Sequence, residues 1–129
     1  MTRRLVFLSL LFPLVAGCDS LYVPGIAVSG RVMFRGKPVT KGTILFRADF
    51  FLGGRSAMGE IRDGWYSISR AEGPSDGNFG IEITNTGNLP PNVVGATSEP
   101  GIPLRYNQYS EIKIILAKRQ SLELMFDLE

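Results

Sequence analysis

Alternation of apolar and polar residues with a period of two is the feature that most constrains the fold of this chain. Val28, Gly30, Val32 and Phe34 fall on one face of an extended segment, and the residues between them are mostly polar or charged. Since successive side chains of a β-strand point to opposite faces, this pattern is typical of a strand with one buried face. Helical spacing is found almost nowhere, so the sequence predicts an all-β protein.

The same alternation recurs and predicts seven short strands in total. The other six segments cover residues 43–49, 55–62, 65–69, 79–84, 111–116 and 121–128. We expect the strands that begin at residues 28 and 43 to pair as a hairpin, and Asp63-Gly64 to form a tight turn between the next two. Two antiparallel sheets packed face to face, a β-sandwich, are the expected architecture.

Residues 86–109 interrupt this regular pattern. The segment has no periodicity and contains Pro90, Pro91, Pro100 and Pro103. A connection of this length is unusual in a small domain, and it is typical of a functional loop or of a crossover between sheets.

The N-terminus has the layout of a lipoprotein signal. Arg3 and Arg4 precede the short apolar run Leu5 to Phe12, and Leu14-Val15-Ala16-Gly17-Cys18 has the pattern of a bacterial lipobox. We expect residues 1–17 to be a cleaved signal peptide and Cys18 to be lipidated as the new N-terminus. The alternative is an ordinary signal peptide cut after Gly17, which leaves Cys18 as a free thiol.

This interpretation divides the chain into three segments: a signal peptide over residues 1–17, a tether over 18–27 and a β-sandwich domain over 28–129. The lipid on Cys18 would anchor the protein to a membrane facing the periplasm or the cell surface, so we expect it in the cell envelope. Cys18 is the only cysteine, so the chain has no internal disulfide.

The charge balance argues against a nucleic-acid partner. The whole chain has fourteen basic and twelve acidic residues. Removal of Arg3 and Arg4 with the signal leaves twelve of each, so the mature chain is close to neutral. Lys118-Arg119 is its only adjacent basic pair, far less than a polyanion-binding surface requires.

The order of these segments resembles a known family. Val28 to Val39 resembles the opening of carboxypeptidase-regulatory-like domains, Asp63 to Ile68 resembles their turn-and-aromatic hairpin, and Phe79 to Ile83 resembles a later strand. Ile102 to Tyr106 and Leu124 to Leu128 are similar to segments of small planctomycete lipoproteins built on this domain. The resemblance implies a seven-stranded transthyretin-like (prealbumin-like) sandwich attached to the cell envelope, with no activity of its own.

The residue types present exclude several kinds of chemistry. The chain has no histidine, which removes Ser-His-Asp and Cys-His catalysis, and the usual zinc sites with it. We therefore expect no enzyme, no cofactor and no metal. The acids are scattered and are more typical of turns and solvated strand faces than of paired catalytic carboxylates: Glu60, Asp63, Glu72, Asp76, Glu82 and Glu99. A calcium site at Asp63, Asp76 and Asn78 would have too few carboxylates.

Five residues are candidates for contact with a ligand or partner: Trp65, Arg105, Tyr106, Phe50 and Phe51. Phe50 to Gly54 is either an exposed lip or a segment folded back over an open end of the core, and we favour the second. Arg105 and Tyr106 either hold an anion or a sugar, or else close one end of the domain while the arginine binds loop carbonyls. We favour the structural role for this pair.

The predicted function is that of a non-enzymatic, lipid-anchored envelope protein presenting a β-sandwich to an unknown envelope protein or polymer. The edge strands and residues 86–109 are the expected contact surfaces, and two copies could pair through edge strands into a homo-oligomer. The alternative is a small-ligand or carbohydrate binder that uses Trp65, Phe50, Phe51 and Tyr106 as apolar platforms. A hydrolase based on carboxylates is a third and weaker hypothesis.

Overall fold

The computed structural model describes residues 24–129, and within this range it confirms the predicted all-β class. Nine strands and two short 3-10 turns are present, and the described residues contain no α-helix. The strands are β1 (Ala27–Phe34), β2 (Lys37–Pro38), β3 (Lys41–Ala48), β4 (Ala57–Arg62), β5 (Trp65–Ile68), β6 (Gly77–Asn85), β7 (Lys113–Leu116), β8 (Ser121–Glu123) and β9 (Phe126–Leu128). No helix in residues 24–129 is long and apolar enough to cross a lipid bilayer.

The strands form one connected sheet that curls into a half-barrel. Seven strands are antiparallel neighbours in the order β2-β1-β5-β4-β3-β6-β7, while β8 and β9 pair with β1 in parallel. Strand β1 is therefore the most shared strand of the sheet, since it pairs with β5 and β2 as well as with the two C-terminal strands.

The predicted hairpin between the first two long strands is wrong. Strand β1 turns tightly at Arg35-Gly36 to pair with the short β2, and it makes no pairing with β3. The β4–β5 hairpin lies between them instead. Its turn lies beside Val39 and Thr40, whose carbonyl oxygens accept hydrogen bonds from the backbone N–H groups of Gly64 (2.7 Å) and Asp63 (2.8 Å).

The Asp63-Gly64 turn itself is confirmed. Both residues have positive φ angles, 51° for Asp63 and 83° for Gly64, as a two-residue hairpin turn with the twist of its strands requires. Backbone hydrogen bonds to Val39 and Thr40 anchor this turn. The local sequence therefore specifies the β4–β5 hairpin, and these two long-range hydrogen bonds hold its turn in place.

The core follows the predicted alternation. In β1 the residues at 28, 30 and 32 are buried, and β4 shows the same strict alternation. The buried apolar residues form one cluster to which β1, β3, β4, β5, β6, β7 and β9 all contribute. At its centre the ring of Tyr66 lies 6.3 Å from that of Phe46 and 6.5 Å from that of Phe126, so the curl brings distant parts of the sheet against one another.

The predicted strand over residues 121–128 is split at Leu124. There the backbone N–H of Leu124 donates to the carbonyl oxygen of Ser29 (2.9 Å), and the Tyr66 hydroxyl donates to the carbonyl oxygen of Leu124 (2.8 Å). Gly30 lies directly under this point. A Cβ at position 30 would be 1.8 Å from the Leu124 oxygen, so glycine is needed for the close approach of the two main chains.

Packing begins earlier along the chain than the alternation predicts. Gly25 and Ile26 are already buried, and their N–H groups donate to the carbonyl oxygens of Arg70 (2.9 Å) and Pro74 (2.8 Å). The part of the predicted tether that the structure describes therefore belongs largely to the domain. Residues 1–23, including Cys18, lie outside the described residues.

The sheet has two ends, which we name by their relation to this starting point. The proximal end holds Gly25 and Ile26, the ends of β3 and β7 and the starts of β4 and β6. The distal end holds the turns at Arg35-Gly36 and Asp63-Gly64, together with the end of β6, where residues 86–109 begin.

Replacing Gly30 with alanine tests the close approach at Leu124. We expect Gly30→Ala to lower the free energy of unfolding by about 1–3 kcal/mol, because the new methyl group displaces the backbone of the C-terminal segment. Gly80→Ala is the matched control, since a Cβ there meets nothing within 4 Å. Urea unfolding measures both variants, and an equal effect would contradict the structural role of Gly30.

Tyr66 predicts a loss of stability at alkaline pH. Burial, and secondarily the carboxylate of Glu123, raise the pKa of its phenol above the ordinary value of 10. Above that pH the unfolded chain loses this proton while the folded protein keeps it, so the free energy of unfolding falls by up to about 1.4 kcal/mol per pH unit. Tyr66→Phe should lack this component in urea titrations between about pH 9 and about pH 11, and identical slopes would contradict it.

Candidate functional site

The segment from Phe50 to Leu52 is an exposed apolar tip, so the favoured interpretation of a segment folded over the core is wrong. Phe50 and Phe51 are each 91 % exposed and Leu52 is 68 % exposed. The Asp49 side chain accepts hydrogen bonds from the N–H groups of Phe51 (2.9 Å) and Leu52 (3.2 Å), which turns the chain outward. Phe79, which is buried at this end of β6, lines the groove beside the two phenylalanines.

The two phenylalanines contact each other rather than the core. Their ring centroids are 5.5 Å apart with the planes nearly perpendicular, the edge-to-face geometry that aromatic pairs favour. Together with Leu52 and with Ile115, which is 81 % exposed on the edge strand β7, they line a groove of about 710 Å³. We call Phe50, Phe51 and Leu52 the apolar tip of the proximal end.

A basic cleft of about 430 Å³ also lies at the proximal end. Four basic residues line it together with the start of the described chain and the single acid Asp76: Arg55, Arg70, Lys118 and Arg119. The Nε groups of Arg55 and Arg70 donate to the carbonyl oxygens of Gly73 (3.1 Å) and Gly25 (3.3 Å). These carbonyl acceptors orient the two guanidinium groups.

The predicted contact residue Trp65 lies elsewhere, at the distal start of β5. Its indole is 53 % exposed, and the guanidinium of Arg31 lies 5.5 Å from the ring centroid. This distance is within the range of a cation–π contact, which shields one face of the ring. Trp65 does not line the groove that Phe50 and Phe51 share.

Arg105 and Tyr106 hold the end of the described chain. The Arg105 guanidinium and the Tyr106 hydroxyl both donate to the main-chain oxygen of Glu129, and the Glu129 N–H donates back to the Tyr106 hydroxyl. The guanidinium also lies 4.9 Å from the Tyr106 ring centroid. The pair thus has structural contacts, as favoured, but Arg105 binds the main chain of Glu129 after β9 rather than the predicted loop carbonyls.

The long segment after β6 is ordered by three asparagines. Asn85 donates to the carbonyl oxygen of Pro100 (2.9 Å), Asn88 donates to that of Ile102 (2.8 Å), and Asn107 donates to the same Ile102 oxygen (3.1 Å). The N–H of Ile102 in turn donates to the side-chain oxygens of Asn85 and Asn88. Ile102 is thereby locked into the core, where it is 1 % exposed.

The outer part of this loop presents apolar side chains to solvent. Val94 is 99 % exposed, and Val93 and Leu89 are about 40 % exposed beside it (43 % and 39 %). Thr86 and Thr97 share a hydrogen bond between their hydroxyls (3.0 Å) that closes the base of the excursion. We call Leu89, Val93 and Val94 the distal apolar surface.

The acids that sequence analysis singled out do not converge. Glu82 pairs with Arg47 at 2.7 Å, and Glu60 pairs with Arg62 at 3.0 Å. The hydrogen bond from Arg62 lowers the pKa of Glu60, which keeps that carboxylate charged. Among residues 24–129 no three acidic, histidine or cysteine residues are grouped closely enough to hold a metal ion.

Two of these features were missed by sequence analysis. The basic cleft collects Arg55 and Arg70 with Lys118-Arg119, and only the last pair is adjacent in the chain. The asparagine network joins residues 85, 88 and 107 across a segment without periodicity. The asparagines and prolines of this segment signal turns, but no local pattern predicts which carbonyl each amide would reach.

Comparisons with known protein families, with curated proteins and with solved structures find no match to this chain. The resemblance to carboxypeptidase-regulatory-like domains therefore stays a prediction. The function has to be inferred from the surfaces described above.

Removing the Asn85 amide should loosen the loop. We expect Asn85→Ala to lower the free energy of unfolding by roughly 1–3 kcal/mol and to speed hydrogen exchange of the Ile102 amide, because buried groups lose their partners. Asn92→Ala, at an exposed loop position, should change stability by no more than about 0.5 kcal/mol. Unchanged exchange at Ile102 would show that the network does not order the loop.

Proposed function

We propose that this protein is a non-enzymatic, lipid-anchored protein of the cell envelope that presents its distal apolar surface to another envelope macromolecule. The anchor is the acylated Cys18, and residues 1–17 are removed as a signal peptide. The observation that carries the proposal is the loop after β6, in which the asparagine network and the Thr86–Thr97 hydrogen bond fix both ends of an excursion that exposes Val93 and Val94.

Order in that loop is what makes it a contact surface. A flexible loop must lose conformational entropy when it binds, whereas a pre-organised loop does not. Exposed apolar residues rimmed by polar ones are typical of protein interaction sites. A loop of this length held by side-chain hydrogen bonds to buried main-chain groups is therefore suited to recognition, and the sheet serves as its scaffold.

The position of the anchor supports this orientation. The described chain begins at the proximal end, so a lipid on Cys18 would hold that end toward the membrane and leave the distal apolar surface facing away. We further propose that the curled sheet is a variant of the transthyretin-like sandwich. The contact of Phe46 in β3 with Tyr66 in β5 supports this. The two strands are separated by β4 in the sheet, and their rings meet in one core on its concave side.

The ligand-binding alternative has weaker support. It requires Trp65, Phe50, Phe51 and Tyr106 to line one concavity, but the groove lined by the two phenylalanines includes neither Trp65 nor Tyr106. Pairing of two copies through the edge strand β7 remains a proposal of lower rank, supported by the exposure of Ile115 on that strand.

The experiment places a photo-crosslinking residue at position 94 in cells that make the full chain. We expect the protein to fractionate with membranes, to carry acyl mass on residue 18, and to form one discrete adduct. Cys18→Ser should move the protein to the aqueous fraction and abolish the adduct, because contact depends on co-localisation at the membrane. The matched control position is Ser67, which is exposed on β5, does not line the groove that contains Leu89, and should form no adduct.

Two results would overturn the proposal separately. A native chain with an unmodified Cys18 in the aqueous fraction contradicts the anchor. An acylated chain that crosslinks equally from positions 94 and 67, or from neither, contradicts the role of the distal apolar surface.

A further inference from the structure

We propose that the proximal end docks on the surface of an anionic lipid bilayer, with Phe50, Phe51 and Leu52 inserted below the headgroups and the basic cleft set against them. This inference rests on the proposed anchoring through Cys18 and deepens it. The lipid would then fix the location of the protein, and the proximal end would fix its orientation.

The start of the described chain and the residue that follows the apolar tip after two glycines are held by the same segment, residues 73–75. The carbonyl oxygen of Pro74 accepts from the N–H of Ile26, and that of Gly73 accepts from the Arg55 side chain. The Ser75 hydroxyl accepts from the Arg55 N–H at 2.9 Å. Residues 73–75 therefore place the tip and the chain start at one end of the sheet.

The chain between the anchor at Cys18 and the proximal end is short. Six residue steps separate Cys18 from Pro24, and six residues span at most about 20 Å when fully extended. A lipid on Cys18 therefore keeps the proximal end close to the membrane. In that position the tip lies close to the acyl-chain region of the bilayer. The anchor thereby raises the effective concentration of the tip at the membrane.

The tip consists of three consecutive large apolar side chains that are 91 %, 91 % and 68 % exposed, and its two aromatic rings contact each other. Their main chain is turned by the Asp49 carboxylate, which satisfies two N–H groups within the loop. Aromatic and aliphatic side chains with internally bonded backbone groups are suited to the boundary between headgroups and acyl chains.

The cleft has a local excess of positive charge, because four basic residues line it against one acid, Asp76. The other eight basic residues of the described chain lie outside its lining. Basic side chains beside an inserted apolar segment pair with anionic headgroups, and each adds to binding while it lies within a Debye length of the membrane.

The test uses the full acylated chain in vesicles of phosphatidylcholine and phosphatidylglycerol with brominated acyl chains. Trp65→Phe removes the native indole, and Phe51→Trp or Val94→Trp then places a single indole at the proximal or distal end. We expect the emission of Trp at position 51 to shift to shorter wavelength and to lose most of its intensity. Emission from position 94 should do neither.

Charge reversal tests the cleft. Adding phosphatidylglycerol to phosphatidylcholine vesicles should increase quenching at position 51. The increase should be lost in the double variant Lys118→Glu and Arg119→Glu, and kept in the matched distal double variant Lys37→Glu and Lys41→Glu. A response independent of phosphatidylglycerol, or equal in the two double variants, overturns the role of the cleft.

The remaining outcomes separate docking from anchoring. Unshifted, unquenched emission at position 51 from acylated protein that floats with the vesicles overturns docking and leaves the anchor intact. Quenching at position 94 overturns the orientation. A concentration-dependent blue shift at position 51 without vesicles shows that a second copy covers the tip, which overturns docking. Protein that neither carries acyl mass nor floats overturns the anchor and the docking together.

Discussion

The packing of the C-terminal segment over Gly30 is the contact on which the rest of the structure depends. Strand β1 would be an edge of the sheet without it, because only β8 and β9 cover that side. Two main chains approach closely because position 30 has no side chain, and the Tyr66 hydroxyl satisfies the carbonyl oxygen that this approach buries. The same tyrosine ring packs between Phe46 and Phe126, so one residue joins the closure of the sheet to the filling of its core.

The length of the strands separates two surfaces, one aromatic and basic and the other aliphatic. Strand β6 alone has nine residues, which corresponds to about 30 Å between its ends. The aromatic tip and the basic cleft lie at one end, and the distal apolar surface lies at the other. A rigid sheet between them fixes their separation, so contact with a membrane at one end is compatible with contact with a macromolecule at the other.

Buried polar groups in this protein serve to order the chain. Throughout the described residues every buried side-chain nitrogen or oxygen has a hydrogen-bond partner. Asn85 and Asn107 are about 5 % exposed (5 % and 6 %), and both use their amides to hold main-chain groups of the long loop. An unpaired amide in such a position would cost free energy, so these residues are compatible with the core only because the loop passes beside them.

Alternation determined the all-β class and the inward faces of the strands, and the Asp63-Gly64 dipeptide determined the tight turn, because each depends on residues adjacent in the chain. The tertiary structure alone decided that β1 pairs with β5 rather than β3, since alternation specifies which face is buried but not which strand lies alongside. It also decided that Phe50 and Phe51 are exposed, because the Asp49 side chain accepts hydrogen bonds from the N–H groups of Phe51 and Leu52 and turns this segment outward. The basic cleft and the asparagine network depend on residues far apart in the chain, and only folding brings those residues together.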